Sequence, residues 1–269
     1  MKKECFIVKD IQLKFKGVEH VLDAKVDFAS EQVEVNGLDY SIEQVPFDVP
    51  VSGTMYGLLL NYKDEYAALE GEMNDKPYIA PPKAPVLYIK PENTFIADGE
   101  MIPLPDEEEE LRVGAALGIV IGRDATRVSK EDAYDYIAGY TVVNDISLPH
   151  TNVHRPAVKE KARDGFCPVG PWVMSKEAVA NPNDLTITVK VNDEVKQTVQ
   201  TKNLIRNVET IIADLTDFMT LYAGDVVLVG VDHGAPIVKE NDGVTIEIEG
   251  VGTLYNRVMK ESALKEVKR

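Results

Sequence analysis

The stretch "GAALGIVIGRDATRVSKEDAYDYIAGYTVVNDIS", residues 114–147, decides how the chain is read. Within it "LGIVIG" (117–122) is an apolar run bounded by glycines, the mark of a buried strand. Ser129 and Asp132 match a capping box, so "SKEDAYDYIAGY" is expected to be helical, with Gly139 where that helix would stop. A second strand then ends on one carboxylate, Asp145. The unit therefore reads strand, capped helix, strand.

Working outward, short strands outnumber helices. "EQVEVNGLDYSI" alternates around Asn36-Gly37, a strong hairpin signal. "LTITVKVNDEVKQTVQT" alternates around a turn at Asn192-Asp193, and "DGVTIEIEGVGTLYNRV" alternates again. "GLLLNYKDEYAALEGEM" starts as a strand and turns helical. In "NVETIIADLTDFMTLYAGD" apolar residues at 208, 211, 212, 215, 218 and 219 predict an amphipathic helix capped by Asn207. Strands in excess with isolated helices predict an α+β, β-rich fold rather than a doubly wound sheet. The lack of a glycine-rich strand-to-helix turn argues against nucleotide binding. "VPFDVPVSG" supplies prolines and a glycine, which suggests a small β-rich amino-terminal region at 1–52 and a main domain at 53–269.

The 269 residues carry a net charge of −16, which disfavours nucleic-acid and anionic-membrane partners. No apolar run approaches the roughly eighteen residues a membrane helix needs. The apolar run near the amino terminus is too short for a signal peptide. Two cysteines, Cys5 and Cys167, make no disulfide framework and read as reduced thiols of a cytoplasmic protein.

An anionic substrate would need a local cationic pocket in such a chain. "HRPAVKEKARDGFCPVG" (154–170) offers one: Arg155, Lys159, Lys161 and Arg163, flanked by Pro156 and a segment rich in glycine, proline and aromatics. Arginine can grip a carboxylate through two parallel hydrogen bonds and lysine supplies a compact charge. Solvated basic residues are the bland alternative. His150 and His154 stand four apart, but Pro149 and the lack of an HExxH glutamate argue against a metal there. The acidic run at 106–110 reads as a solvated loop. His233, between glycines on a predicted loop, is a candidate general acid or base.

From about residue 53 to 258 the chain resembles the fumarylacetoacetate hydrolase superfamily. The resemblance rests on "GLLLNYKDEY", "APVLYIKP", "IVIGRDATRVSKEDAYDYIAGYTVVNDIS", "KARDGFCPVGPW", "LYAGDVVLVG" and "IEGVGTLYNRV", in this order. Within it, "RPAVKEKARDGFCPVG" is most similar to the amino-terminal half or subunit of isomerase/decarboxylases of homoprotocatechuate (4-hydroxyphenylacetate) breakdown. The resemblance implies a mixed β-sandwich or roll with a few flanking helices. It implies a small anionic oxo-acid substrate and a homologous metal-bearing subunit or a homodimer as partner. Family members hold Mg²⁺ or Mn²⁺ with a Glu-x-Glu strand and an aspartate. Here Asp145 matches the aspartate while Gly114 and Ala116 stand at the two glutamate positions, so the ion is expected to be weakly held or absent. Lys161 matches the family's active-site lysine. Glu65 falls where many members carry a lid histidine, Ala68 replaces the acid that follows it, and Val231-Asp232 replaces a Thr-Pro pair. The expected site is thus Lys161, Asp145 and His233 as catalytic groups, with Arg155, Arg163, Asp164 and Tyr62 binding substrate.

Overall fold

The computed structural model describes residues 8–74, 79–150 and 157–267. Arg155, His154, Pro156 and Cys5, singled out from the sequence, lie outside the described residues. Two sheets make the core. In the larger one, neighbouring strands run Lys9–Phe15, Cys167–Ser175, Ile137–Asn144, Ala115–Ile121, Val226–Leu228, Met55–Leu59, Val86–Lys90. The smaller has Glu194–Gln200, Thr186–Val191, Gly243–Ile248, Gly252–Lys260 and Met101–Leu104. The sheets meet where Cys167–Ser175 packs against Gly252–Lys260, and Trp172 Nε1 donates to Val251 O at 2.8 Å. This is the expected α+β, β-rich sandwich with a few helices. Among the described residues no helix is long and apolar enough to cross a membrane.

The buried run is a strand as expected: every residue of Ala115–Ile121 is buried, flanked by strands on both sides. Both predicted hairpins form, and Asn36, Gly37, Asn192 and Asp193 all take positive φ at their turns. The amino-terminal strands join the larger sheet, Ile11 pairing with Met174.

One expectation fails. "SKEDAYDYIAGY" makes only a 3-10 turn at Ala133–Tyr136, not a helix ending at Gly139. The local cap exists, since the Asp132 amide donates to Ser129 Oγ at 3.3 Å and Ser129 Oγ donates to Asp132 Oδ2 at 2.8 Å. Ile137 and its successors are instead drawn into the sheet, where Gly139 faces Val120 on one side and Ser175 on the other. A Cβ on Gly139 would stand 2.0 Å from the Met174 carbonyl oxygen. That glycine serves the close approach of two strands rather than a helix stop.

The helix predicted after Asn207 forms but is shorter than its pattern. Val208–Thr216 is helical, capped by Asn207 Oδ1, which accepts from the Thr210 amide at 3.3 Å. Thr216 then accepts from the Val128 amide through its hydroxyl, and Phe218 is left exposed.

Candidate active site

Three segments converge on Asp145. Gly114 lies just before the strand Ala115–Ile121, and the register Ala115–Asn144 sets it beside Asp145. The Asp145 amide donates to Gly114 O at 2.8 Å, and the Gly114 amide donates to Asn144 Oδ1 at 3.0 Å. The strand Val86–Lys90 delivers Tyr88 and Lys90, two residues apart and so on one face. Tyr88 can lie there because its cross-strand partner is Gly57, where a Cβ would sit 2.1 Å from the phenol carbon. The short helix Val158–Lys161 brings in Lys161.

Asp145 is buried and fully engaged. Lys161 Nζ donates to Oδ2 at 2.6 Å, and the Tyr88 hydroxyl donates to the same oxygen at 2.5 Å. Lys90 Nζ stands 2.9 Å from Oδ1, an ion-pair contact outside good hydrogen-bond alignment. Lys90 also donates to Ile146 O at 2.8 Å and Lys161 O at 2.7 Å, and its side chain has no solvent exposure. Burial alone would raise the Asp145 carboxyl, but Lys161 and then Lys90 outweigh it and hold the acid far below the usual range. Burial pushes the Lys90 ammonium down while Asp145 pulls it back up. Burial, then Asp145, drives the Tyr88 phenol well up, so it stays a neutral donor.

With one carboxylate and two ammonium groups the cluster carries an excess of positive charge inside an acidic chain. Of the two lysines only Lys161 reaches solvent, at 13% exposure, with its ammonium 4.6 Å from the Tyr88 ring centre. It is the cation that an incoming anion can meet.

The donor set does not fit Mg²⁺ or Mn²⁺. A hard divalent ion needs about six oxygens, with several anionic ones from the protein. Here both Asp145 oxygens already face cations. Gly114 has no side chain, and a Cβ there would stand 2.2 Å from the Asp145 carbonyl oxygen. Ala116 is packed in an apolar cluster with Val143, Met55, Cys167 and Val169. Among the described residues no three His, Cys, Asp or Glu side chains converge as metal ligands.

The other predicted residues are distributed as follows. Tyr62 is buried at the start of the helix Lys63–Met73, its hydroxyl without a hydrogen-bond partner. Arg163 donates to Lys159 O at 3.2 Å and pairs with Glu107 at 3.5 Å. Asp164 accepts from Asn93 Nδ2 at 2.7 Å. His233 is exposed, its carbonyl accepting from Gln197. The acidic run is used structurally: Glu110 pairs with Lys239, and the Glu108 carbonyl accepts from Lys260.

Sequence reasoning missed Tyr88, Lys90 and Asn61. Asn61 is buried and ties distant segments together: its Nδ2 donates to Val229 O at 2.8 Å, and its Oδ1 accepts from the Arg206 amide at 2.9 Å. Leu60 before it takes a positive φ of 58° and turns the chain into the helix. A lysine and an asparagine inside apolar strand-like segments were the signals available.

Comparison with known proteins bears on the family and the fold. The description "Fumarylacetoacetate (FAA) hydrolase C-terminal" matches residues 54–259. The chain is 39% identical over 211 residues to a 4-hydroxyphenylacetate degradation bifunctional isomerase/decarboxylase of Escherichia coli, covering 78% of this chain and 48% of that protein. It therefore spans about half the length of that relative. The solved structure of 2-hydroxyhepta-2,4-diene-1,7-dioate isomerase from Mycobacterium marinum superposes with a TM-score of 0.78 at 26% identity, covering 95% of this chain and 99% of that one. A maleylpyruvate hydrolase from Sphingobium, solved with manganese(II) and pyruvate, shares the fold at TM-score 0.76 and 21% identity, over 93% and 99% of the chains.

Proposed function

Since the chain belongs to the fumarylacetoacetate hydrolase family, we propose that it serves an isomerase/decarboxylase of aromatic (4-hydroxyphenylacetate) catabolism. Its substrates are 2-oxo or 2-hydroxydiene di- and tricarboxylates. In this reading its own pocket is a degraded metal site that holds the acid by ammonium charge, and a homologous metal-bearing chain completes the activity. The observation that carries the reading is Lys161 Nζ, 2.6 Å from Asp145 and the one ammonium of the cluster open to solvent.

The chemistry follows from charge. Loss of carbon dioxide, or a proton shift along a diene, leaves negative charge on an enolate oxygen. Preorganised positive groups in a water-poor site stabilise such charge. Lys161 supplies that contact. Lys90 and Asp145 hold Lys161 in place, Lys90 through the Lys161 carbonyl and Asp145 through its ammonium.

The test uses the purified chain, the homologous metal-bearing chain and their mixture, assayed for loss of the diene acid's ultraviolet absorbance. Activity well above the sum of the two on mixing is the expected result. Full activity of the homologous chain alone, unchanged by mixing, reduces this chain to a stabilising partner. Tight Mg²⁺ or Mn²⁺ binding by this chain together with turnover on its own would make it a stand-alone metal-dependent hydrolase or decarboxylase, against the proposal.

A further inference from the structure

The turn between the strands Gln32–Val35 and Leu38–Ser41 carries the one asparagine of the chain that is followed by glycine, Asn36-Gly37. Both residues take left-handed backbone angles, φ 53° for Asn36 and 79° for Gly37. This is the two-residue hairpin turn that favours such a pair. Asn36 is exposed and lines an open groove of about 630 Å³. Its carboxamide makes no hydrogen bond among the described residues. Gly37 has no side chain, and even a Cβ there would meet nothing within 4 Å. An unshielded carboxamide therefore stands next to an unhindered backbone nitrogen, with water at hand.

One contact restrains that nitrogen. The Gly37 amide donates to Glu34 Oε1 at 3.1 Å. To attack a carbonyl the nitrogen has to shed this proton. A carboxylate that accepts the N–H favours the protonated form, and its charge opposes the anion left behind. The other asparagine hairpin has the reverse arrangement. Asn192 and Asp193 also take left-handed angles, φ 51° and 65°. There Asn192 Nδ2 donates to Asp242 Oδ1 at 2.7 Å, and Asn192 Oδ1 accepts from the Gly243 amide at 2.9 Å. The carboxamide is tied at both ends, and the next residue carries a side chain. At Asn192 the electrophile is held; at Asn36 only the nucleophile is.

We infer that Asn36 is a modification site, converted without an enzyme to aspartate and isoaspartate, and that Glu34 sets the rate. The Gly37 nitrogen loses its proton to solvent base and bonds to Asn36 Cγ, closing a five-membered imide. The Cγ–Nδ2 bond breaks, and the nitrogen leaves as ammonia. Water then reopens the ring. Cleavage of the bond to Cγ gives aspartate. Cleavage of the bond to the main-chain carbonyl carbon gives isoaspartate, whose backbone runs through Cβ and Cγ and is longer by one carbon. No oxidant or reductant is needed, and either product adds a negative charge. The length of a two-residue turn fixes the pairing of its strands. Isoaspartate therefore displaces Leu38–Ser41, the outermost strand of the larger sheet, which pairs with Gln32–Val35 alone among the described residues. Aspartate leaves it in place.

The test ages the full chain at mildly alkaline pH and body temperature beside a synthetic peptide of residues 32–41. Mass spectrometry after digestion follows the gain of one mass unit at residue 36, and enzymatic methylation counts isoaspartate. In the full chain Asn36 should convert ahead of every other asparagine, yet more slowly than in the peptide. Glu34→Ala should speed conversion in the full chain about 3- to 10-fold, the worth of one hydrogen bond to an exposed charged acceptor. Glu34→Gln keeps an acceptor without the charge and should fall between. In the peptide, where no turn is held, Glu34→Ala should leave the rate nearly unchanged. Hydrogen exchange should show residues 38–41 unprotected in the isoaspartate form and protected in Asn36→Asp, which carries the same charge on a backbone of normal length. Equal rates in the parent and Glu34→Ala, no conversion of the full chain or its variants while the peptide reacts, or another asparagine converting first overturns the inference. Loss of protection in Asn36→Asp overturns the argument from turn length.

Discussion

Lys90 Nζ and Asp145 Oδ1 face each other at 2.9 Å with neither side chain exposed. Removing one member of such a pair leaves a charge in a place with little water, at a cost of about 3–5 kcal/mol. Asp145→Asn strands two ammonium groups, one of them wholly buried. Lys90→Met strands an aspartate that still keeps Lys161 and Tyr88. Asp145→Asn is therefore expected to be the more destabilising single change. The double variant should be more stable than the sum of the two losses predicts, by roughly 1 kcal/mol or more. Urea denaturation of the four proteins measures this, and strict additivity would mean the pair is not coupled.

Lys161 offers a different test because it is the partly exposed cation. Lys161→Ala should weaken oxalate binding about 10- to 100-fold, the worth of one charge-assisted hydrogen bond. Binding should also weaken as salt is added. Lys161→Arg keeps the charge and should fall between the two. Equal oxalate affinity in all three proteins would place the anion elsewhere.

Gly114 tests the proposal that this position has no room for a metal-ligating side chain. A side chain there meets the Asp145 carbonyl oxygen at 2.2 Å, a backbone atom that cannot swing aside. Gly114→Ala should cost about 1–3 kcal/mol, in the range of overpacked core positions. It should also lower oxalate affinity, because Asp145 moves and carries Lys161 with it. Differential scanning calorimetry and titration check the two effects together. A stable variant with normal binding would show that the strand end can relax, and that a glutamate could be accommodated there.

The fold was legible where the signal was local. Alternation and paired positive-φ turn residues announced both hairpins, and the apolar run announced the Ala115–Ile121 strand. Gly139 misled because a glycine after a capped, apolar-patterned stretch has two physical meanings, a helix stop or a tight strand crossing. Only the partner strand, carrying Met174, decides between them. At the candidate site, Asp145 and Lys161 were singled out through the family pattern. Lys90 and Tyr88 were not, since a lysine in a strand ordinarily points to water. Its burial follows from sheet order, which brings Val86–Lys90 against Asp145, Ile146 and Lys161 from distant parts of the chain. Glu65 was noticed only as a substitution, and the sealing of its Oε2 without a hydrogen-bond partner is a property of packing alone.

Glu65, in the first turn of the helix Lys63–Met73, has a raised carboxyl with a signature in stability. Its folded value, about 7, lies above the ordinary 4.5, and burial is the main cause. A carboxyl whose value rises on folding binds its proton more tightly in the native state. Its contribution is then fully favourable below about pH 4.5 and is lost as pH climbs through 7. Ionising Glu65 in place should cost the native state roughly 3 kcal/mol by pH 8, at about 1.36 kcal/mol for each unit of displacement. Glu65→Gln removes the ionisation and keeps the shape. The variant and the parent should therefore melt alike, or the parent slightly higher, near pH 4.5. The variant should be the more stable of the two at pH 8. Melting curves at half-unit intervals between pH 4 and 8.5 would reveal the crossing. Parallel curves throughout would mean that Glu65 ionises as freely in the folded chain as in water.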